Sequence, residues 1–319
     1  MRSRTKPIVR RAKKAGSWYE ESPKVLDQQL SYWLRDAGPS EFGPAKAIIS
    51  PHAGYQHCGS CAAYAYKEIG IEVSRIFILG PSHRIRLNGI ALSPASIYET
   101  PLGNLTIDRD IYNELYATEM FEEMSLQTDE DEHSIELQLP FIVKVMSKRK
   151  EPYKIVPMMV GSIRPDKEAN YGKILAKYLA DPENVFVISS DFCHWGHRFD
   201  YQYYDKSWGK VHQSIERLDK LGMKAIKDLK LDSFISYLDL YGNTICGRHP
   251  IAVMIAAVEH LNSQSNGDSH RPNFKIKFLN YLQSSRCQHM NDSSVSYTAA
   301  SLKETDDKST GPIKDIVDC

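Results

Sequence analysis

Short runs of Ile, Val and Phe recur along the chain and alternate with longer amphipathic stretches, and this alternation restricts the fold more than any other feature. Runs at 45–50, 75–80, 88–93, 154–161 and 184–190 predict strands, and 275–283 and 294–300 are later candidates. Helical spacing predicts helices over 23–35, 59–69, 109–117, 134–146, 167–179, 207–218, 233–241 and 250–261. Near-continuous hydrophobicity at 48–49 and 76–79 places those strands inside a sheet, buried on both faces. The expected fold is α/β: a mixed central β-sheet covered by helices, in a single domain.

No internal repeat or Gly/Ser-rich linker divides the chain, and 42% hydrophobic residues in a length of 319 supply a large core. Forty basic and forty acidic side chains leave zero formal charge, so a surface that neutralises phosphate backbones is not expected and nucleic acid is not an expected partner. The longest apolar run is eight residues, Ile251 to Val258. A bilayer-spanning helix needs about twenty, so no membrane span is expected. Six cysteines are too few for a disulfide scaffold, which suggests a reducing compartment, the cytoplasm and in addition the nucleus. Seven Lys or Arg crowd the first fourteen residues. Residues 1–9 therefore read as a basic leader, 10–302 as the folded unit and 303–319 as a disordered charged tail, with a polar exposed loop at 262–272.

Three of the strongest strands run directly into loops that carry histidine: 47–50 into His52, 76–80 into His83, and 185–190 into Asp191 and His194. Ligands in open α/β sheets sit at the carboxyl ends of strands. A fourth segment adds Cys246, Arg248 and His249 just before an apolar helix, with Gly247 allowing either unusual backbone angles or a close approach. Imidazole, carboxylate and thiolate together are the ligand types that bind Fe, Cu or Zn. Each residue also has an ordinary role: loop histidines fix turns, Cys246 packs as a small apolar group, and Asp191 caps the turn that follows it. A metal-free thiol hydrolase would instead use Cys246 as nucleophile, His194 or His249 as base and Asp191 as orienter. The Cys58/Cys61 pair, with His57 beside it, reads as helix packing, and Tyr201 to Tyr204 as wall or contact residues. The acidic run 129–132 suits a helix start, with His133 or Glu136 as candidates to face the cleft.

Five segments carry a more specific signal: 47–55 (AIISPHAGY), 78–83 (ILGPSH), 131–136 (DEHSIE), 190–196 (SDFCHWG) and 243–250 (NTICGRHP). In order and wording they resemble the signature segments of the Memo family, and the likeness spans residues 10–302. The resemblance implies a fold similar to class III extradiol dioxygenases, which open catechol rings at a non-haem iron. Residue by residue, it implies His52 and His83 as metal ligands, Cys246 in place of the carboxylate ligand, and His194 as acid/base with Asp191 beside it. A thiolate in that place favours a softer metal and argues against ring cleavage. The implied cofactor is iron or copper, with zinc as a further candidate, in redox or metal-handling chemistry that involves dioxygen or a small molecule. The resemblance also implies roles in signalling and cell motility. The alternative is an adaptor that binds phosphotyrosine peptides or a signalling protein, with Arg84, Arg86 and Arg248 taking the phosphate.

Overall fold

The computed structural model describes residues 6–264, 273–305 and 315–318. Among them the strands are β1 (Val9–Arg10), β2 (Ala47–Ser50), β3 (Arg75–Pro81), β4 (Ile90–Leu92), β5 (Ile97–Tyr98), β6 (Leu105–Thr106), β7 (Phe121–Glu123), β8 (Lys154–Val160), β9 (Asn184–Ser189), β10 (His194–Trp195), β11 (Asn273–Gln283) and β12 (Ser294–Thr305). The helices are α1 (Pro23–Asp36), α2 (Tyr55–Tyr66), α3 (Arg109–Tyr116), α4 (Leu126–Asp131), α5 (Leu139–Met146), α6 (Pro165–Ala180), α7 (Val211–Lys227), α8 (Leu231–Tyr241) and α9 (Arg248–Gln264).

Nine strands form one sheet in the order β10-β12-β2-β9-β3-β8-β4-β7, with β11 paired to β12. Its centre, β2-β9-β3-β8, is parallel. The long hairpin β11-β12 and strand β4 add antiparallel pairs on either side, so the sheet is mixed as expected. Every residue of β2 and β9 is buried, and β3 is buried from Ile76 onward, because helices cover both faces. Helix α2 lies on β2 and β12 and packs against α1 and α5, whereas α9 lies on β3 and β9 beside α6, which also packs on β9. Helices α6 and α9 approach closely: a Cβ on Gly172 would stand 2.5 Å from the Cβ of Ala256.

Three boundaries differ from the sequence reading for identifiable reasons. Helix α2 begins at Tyr55 rather than 59, since the Tyr55 N–H finds the Trp18 carbonyl at 2.9 Å and needs no side-chain cap. The expected helix over 134–146 splits into a 3₁₀ turn (Glu136–Gln138) and α5, because Pro140 has no N–H for the Glu136 carbonyl. Helix α7 starts at Val211 rather than 207, behind a 3₁₀ turn closed by Gly209 at φ +99°. At the ends, β1 pairs with β5 at the border of the expected leader, and β12 runs on to Thr305. Residues 1–5 of the leader, 265–272 of the polar loop and 306–314 and 319 of the tail lie outside the described residues. Asp315 is described, and its carboxylate accepts from the Phe278 N–H at 3.3 Å and pairs with Lys227 at 3.0 Å.

Candidate metal centre

Strands β2, β3 and β9 are parallel neighbours in the sheet, so the loops at their carboxyl ends meet over one edge. A cleft of about 790 Å³ opens there, with His52, His83, His133 and His194 in its walls. One donor atom each from His52, His83 and His133 lies within 4.8 Å of the others.

Hydrogen-bond accounting assigns the tautomers. The single hydroxyl proton of Ser189 goes to the Ser134 carbonyl at 2.7 Å, and Gln138 Nε2 donates to Ser189 Oγ at 2.8 Å. The contact of 2.7 Å between His52 Nδ1 and Ser189 Oγ therefore has the imidazole as donor, and the His52 Nε2 lone pair is left facing Cys246 Sγ at 3.0 Å. His83 Nδ1 lies 2.9 Å from Glu132 Oε1, an acceptor, which fixes the same tautomer. His194 Nδ1 faces two carbonyls, Phe192 at 2.9 Å and Thr244 at 3.2 Å, so it too donates and leaves Nε2 open. Metal-binding histidines are commonly prepared in this way, one ring nitrogen held by the protein and the other presenting its lone pair.

The supporting carboxylate Glu132 is fully buried. It accepts from the His83, His133 and Ser134 backbone N–H groups at 2.6, 2.8 and 2.9 Å in addition to the His83 ring. Burial opposes its ionisation, yet the neighbouring imidazoles and these donors hold its carboxyl down at about 2. Burial and the adjacent imidazoles hold His52 well below the usual histidine range. Burial likewise lowers His133, to about 4, against the pull of Glu132. Both rings are neutral at pH 7, the form a metal ion requires. His133 lies between Trp18, tilted at 36° with ring centroids 4.4 Å apart, and His83, stacked at 4.6 Å.

The segment that carries Glu132 is held by Arg10, which is completely buried. Its Nε donates to Asp129 Oδ1 at 2.9 Å, Nη1 to Glu136 Oε2 at 2.8 Å and the Arg11 carbonyl at 3.0 Å, and Nη2 to the Asp129 and Glu132 carbonyls, both at 2.9 Å. All five donors of the guanidinium are thus committed. Sequence reasoning missed this role, because a basic cluster near Met1 resembles a solvated leader.

The remaining expected residues divide. Asp191 lines the cleft, but its carboxylate accepts from the His52 backbone N–H at 2.8 Å, while the Nδ1 of His194, which Asp191 was expected to orient, is held by carbonyls. Burial raises the Asp191 carboxyl. Cys246 Sγ also accepts from the Asp191 N–H at 3.1 Å, and burial and the charge of Asp191 push its thiol up. Gly247 serves close approach: a Cβ there would stand 2.3 Å from Ser190 Cβ. Glu136 does not face the cleft, since its carboxylate serves Arg10, the Lys14 N–H and Tyr19. Arg84 is exposed at the cleft mouth, while Arg86 is exposed outside its lining. Arg248 donates to the Ile245 carbonyl at 3.1 Å, also outside the lining. His249 binds Glu168 at 2.6 Å, so the imidazole against the thiol is that of His52, contrary to the hydrolase arrangement. Trp18, His57 and Arg198 line the cleft, three residues that local pattern had marked as packing or had passed over. Cys58 and Cys61 are buried free thiols that face separate carbonyls.

The family described as Memo-like protein matches residues 10–301. The chain belongs to the Memo family. Protein MEMO1 of Danio rerio and that of Homo sapiens are each 54% identical to it over 296 residues, 92% of this chain and 97% of theirs. The memo-1 homolog of Caenorhabditis elegans is 49% identical over the same share of this chain and 82% of its own. Among solved structures, an uncharacterized protein of Escherichia coli K12 aligns over 79% of this chain and 98% of its own with a TM-score of 0.48 and 12% identity. No helix among the described residues of this Memo-family chain is long and apolar enough to cross a membrane.

Proposed function

We propose that this Memo-family protein binds one iron or copper ion at the cleft and acts in metal-dependent redox chemistry or metal handling. His52 and His83 would hold the ion, and two groups compete for the third position. Cys246 Sγ touches His52 Nε2, and His133 lies with His52 and His83 inside the 4.8 Å group. Coordination would draw the sulfur into its thiolate form despite its raised thiol value. The bound metal would supply a redox-active Lewis-acid centre. His194 would move protons at its open Nε2, and Asp191 would hold the His52 loop.

The observation that carries the reading is the preparation of the ring nitrogens: His52 and His83 each commit Nδ1 to a buried partner, which leaves Nε2 for a metal. Protein purified without chelator is expected to hold about one equivalent of iron or copper by elemental analysis, lost in His52→Ala/His83→Ala. Full metal content in that double variant sinks the proposal. Cobalt(II) loading then separates the third ligands, since a thiolate-to-metal charge-transfer band abolished by Cys246→Ser selects the sulfur.

The adaptor reading retains one supporting observation, the two exposed guanidinium groups of Arg84 and Arg198 at the mouth. Phosphotyrosine peptide affinity that falls on Arg84→Ala would support it. The cellular setting proposed for either activity is signalling and motility, in the cytoplasm or nucleus.

A further inference from the structure

Behind the His194 wall, α7 buries one carboxylate completely. Asp219 accepts from the Cys193 N–H at 3.3 Å and Asn243 Nδ2 at 3.0 Å on one oxygen, and from Tyr281 OH at 2.9 Å on the other. The Tyr281 hydroxyl is in turn in contact with the Ser296 hydroxyl at 3.1 Å. The donors to Asp219 come from distant parts of the chain, and one immediately precedes His194 while another immediately precedes the residue that grips it. Cys193 is followed by His194 itself. Asn243 is followed by Thr244, whose Oγ1 accepts from the His194 N–H at 2.7 Å and donates to the His194 carbonyl at 3.0 Å. The Thr244 carbonyl is one of the two that fix the His194 ring at Nδ1. Two residues further on is Cys246, against His52.

We infer that Asp219 is a positioning residue: by joining the 193 and 243 loops through one oxygen, it holds the His194 imidazole in the tautomer that opens Nε2 to the cleft and keeps Cys246 at His52. The inference rests on the metal-site reading for its purpose, but the placement of the ring can be measured in metal-free protein. A buried carboxylate is suited to this task because one oxygen accepts two N–H donors at once, each from a different loop.

The test is nitrogen-15 NMR of the histidine side chains in the metal-free full chain. In the wild type, His194 is expected to show two well-separated ring-nitrogen resonances with Nδ1 protonated. In Asp219→Ala they should collapse toward an exchange-averaged position while those of His83, on the opposite wall, stay put. Asp219→Asn keeps one oxygen for Cys193 and Asn243, and the Tyr281 hydroxyl can turn to accept from the new amide, so this variant should restore the wild-type pattern. Should Asp219→Ala fail to fold, Asn243→Ala removes only one of the two loop contacts and is expected to give partial collapse at His194 alone. Unchanged His194 resonances in the folded alanine variants, or equal disturbance of His83 and His194, would overturn the inference. Wild-type protein that takes up no metal would defeat the metal reading and leave the ring measurement to decide this one. Where metal does bind, Asp219→Ala should weaken it about tenfold.

Discussion

The two walls of the cleft present similar imidazoles and are supported in opposite ways. Behind His83 and His133, the Glu132 carboxylate rests on a buried ion cluster in which Arg10 faces Asp129 and Glu136 at 2.9 and 2.8 Å. Behind His194, the buried Asp219 carboxylate is held by the neutral donors Cys193, Asn243 and Tyr281. The consequence appears in their protonation. Burial opposes charge in both, but on the first wall the His83 ring and backbone donors keep Glu132 at about 2, whereas on the second burial prevails and Asp219 rises to about 6. Glu132 therefore keeps its charge near neutrality, whereas Asp219, among neutral partners, changes its charge as pH approaches neutrality.

Removing the cation should break this contrast most severely. Arg10→Met leaves Asp129 and Glu136 buried without their counter-ion, which costs about 3–5 kcal/mol, measurable as a lower urea midpoint with an unchanged slope. A loss under 1 kcal/mol would show that the cluster is dispensable. The second largest effect concerns Asp219. Its folded value near 6 exceeds the ordinary Asp value of 3.8, so the folded state holds the proton longer than the unfolded one. The stability it contributes is present in full below about 3.8 and is lost as pH rises through about 6, an upper limit of about 3 kcal/mol. Urea titrations of wild type and Asp219→Asn from pH 3.5 to 7.5 should therefore not run parallel: the variant gains on the wild type as pH rises, and parallel profiles refute the assignment. The groups that face Asp219, namely the Cys193 thiol, Tyr201, Tyr237 and Tyr281, are all raised and remain neutral throughout that range.

Glu132→Gln sharpens the comparison at the metal. The amide has one acceptor oxygen for donors that converge on both carboxylate oxygens, so the His83 tautomer is released and metal affinity should fall about 10–100-fold in competition titrations. Affinity within twofold of wild type would show that the Nδ1 contact does not tune the ligand. At the small end, Arg86→Ala touches neither wall and should leave stability within about 0.5 kcal/mol and metal uptake unchanged. A measurable loss of metal in that variant would mean that the cleft extends beyond the lining described above.

Much of this was legible in the chain. The β2, β3 and β9 runs read as buried strands because their apolar residues are continuous, and the histidines that follow them read as a site because parallel strands deliver their carboxyl ends to one edge. The family segments carried His133 and Glu136 together, yet only His133 reaches the cleft. The two lie three residues apart, Glu136 opening the 3₁₀ turn, and which one turns inward depends on Arg10, some 120 positions earlier in the chain. Helix α2 began early for a similar reason, since its first N–H is satisfied by a carbonyl at Trp18 rather than by a local cap. His57, beside a Cys pair that reads as packing, reaches the cleft mouth for the same early start.

The order of apolar and polar residues determined by itself the α/β class, the buried parallel strands and the presence of histidine at their ends, because these follow from local periodicity and from the geometry common to all parallel sheets. Tertiary structure alone decided which nitrogen of each ring is left open, and it also decided that a basic residue near the start of the chain would become a buried strut and that an aspartate on α7 would hold two loops. A hydrogen bond between residues far apart in sequence leaves no trace in local composition, and it is such bonds that fix the open nitrogens of His52 and His83 in this cleft.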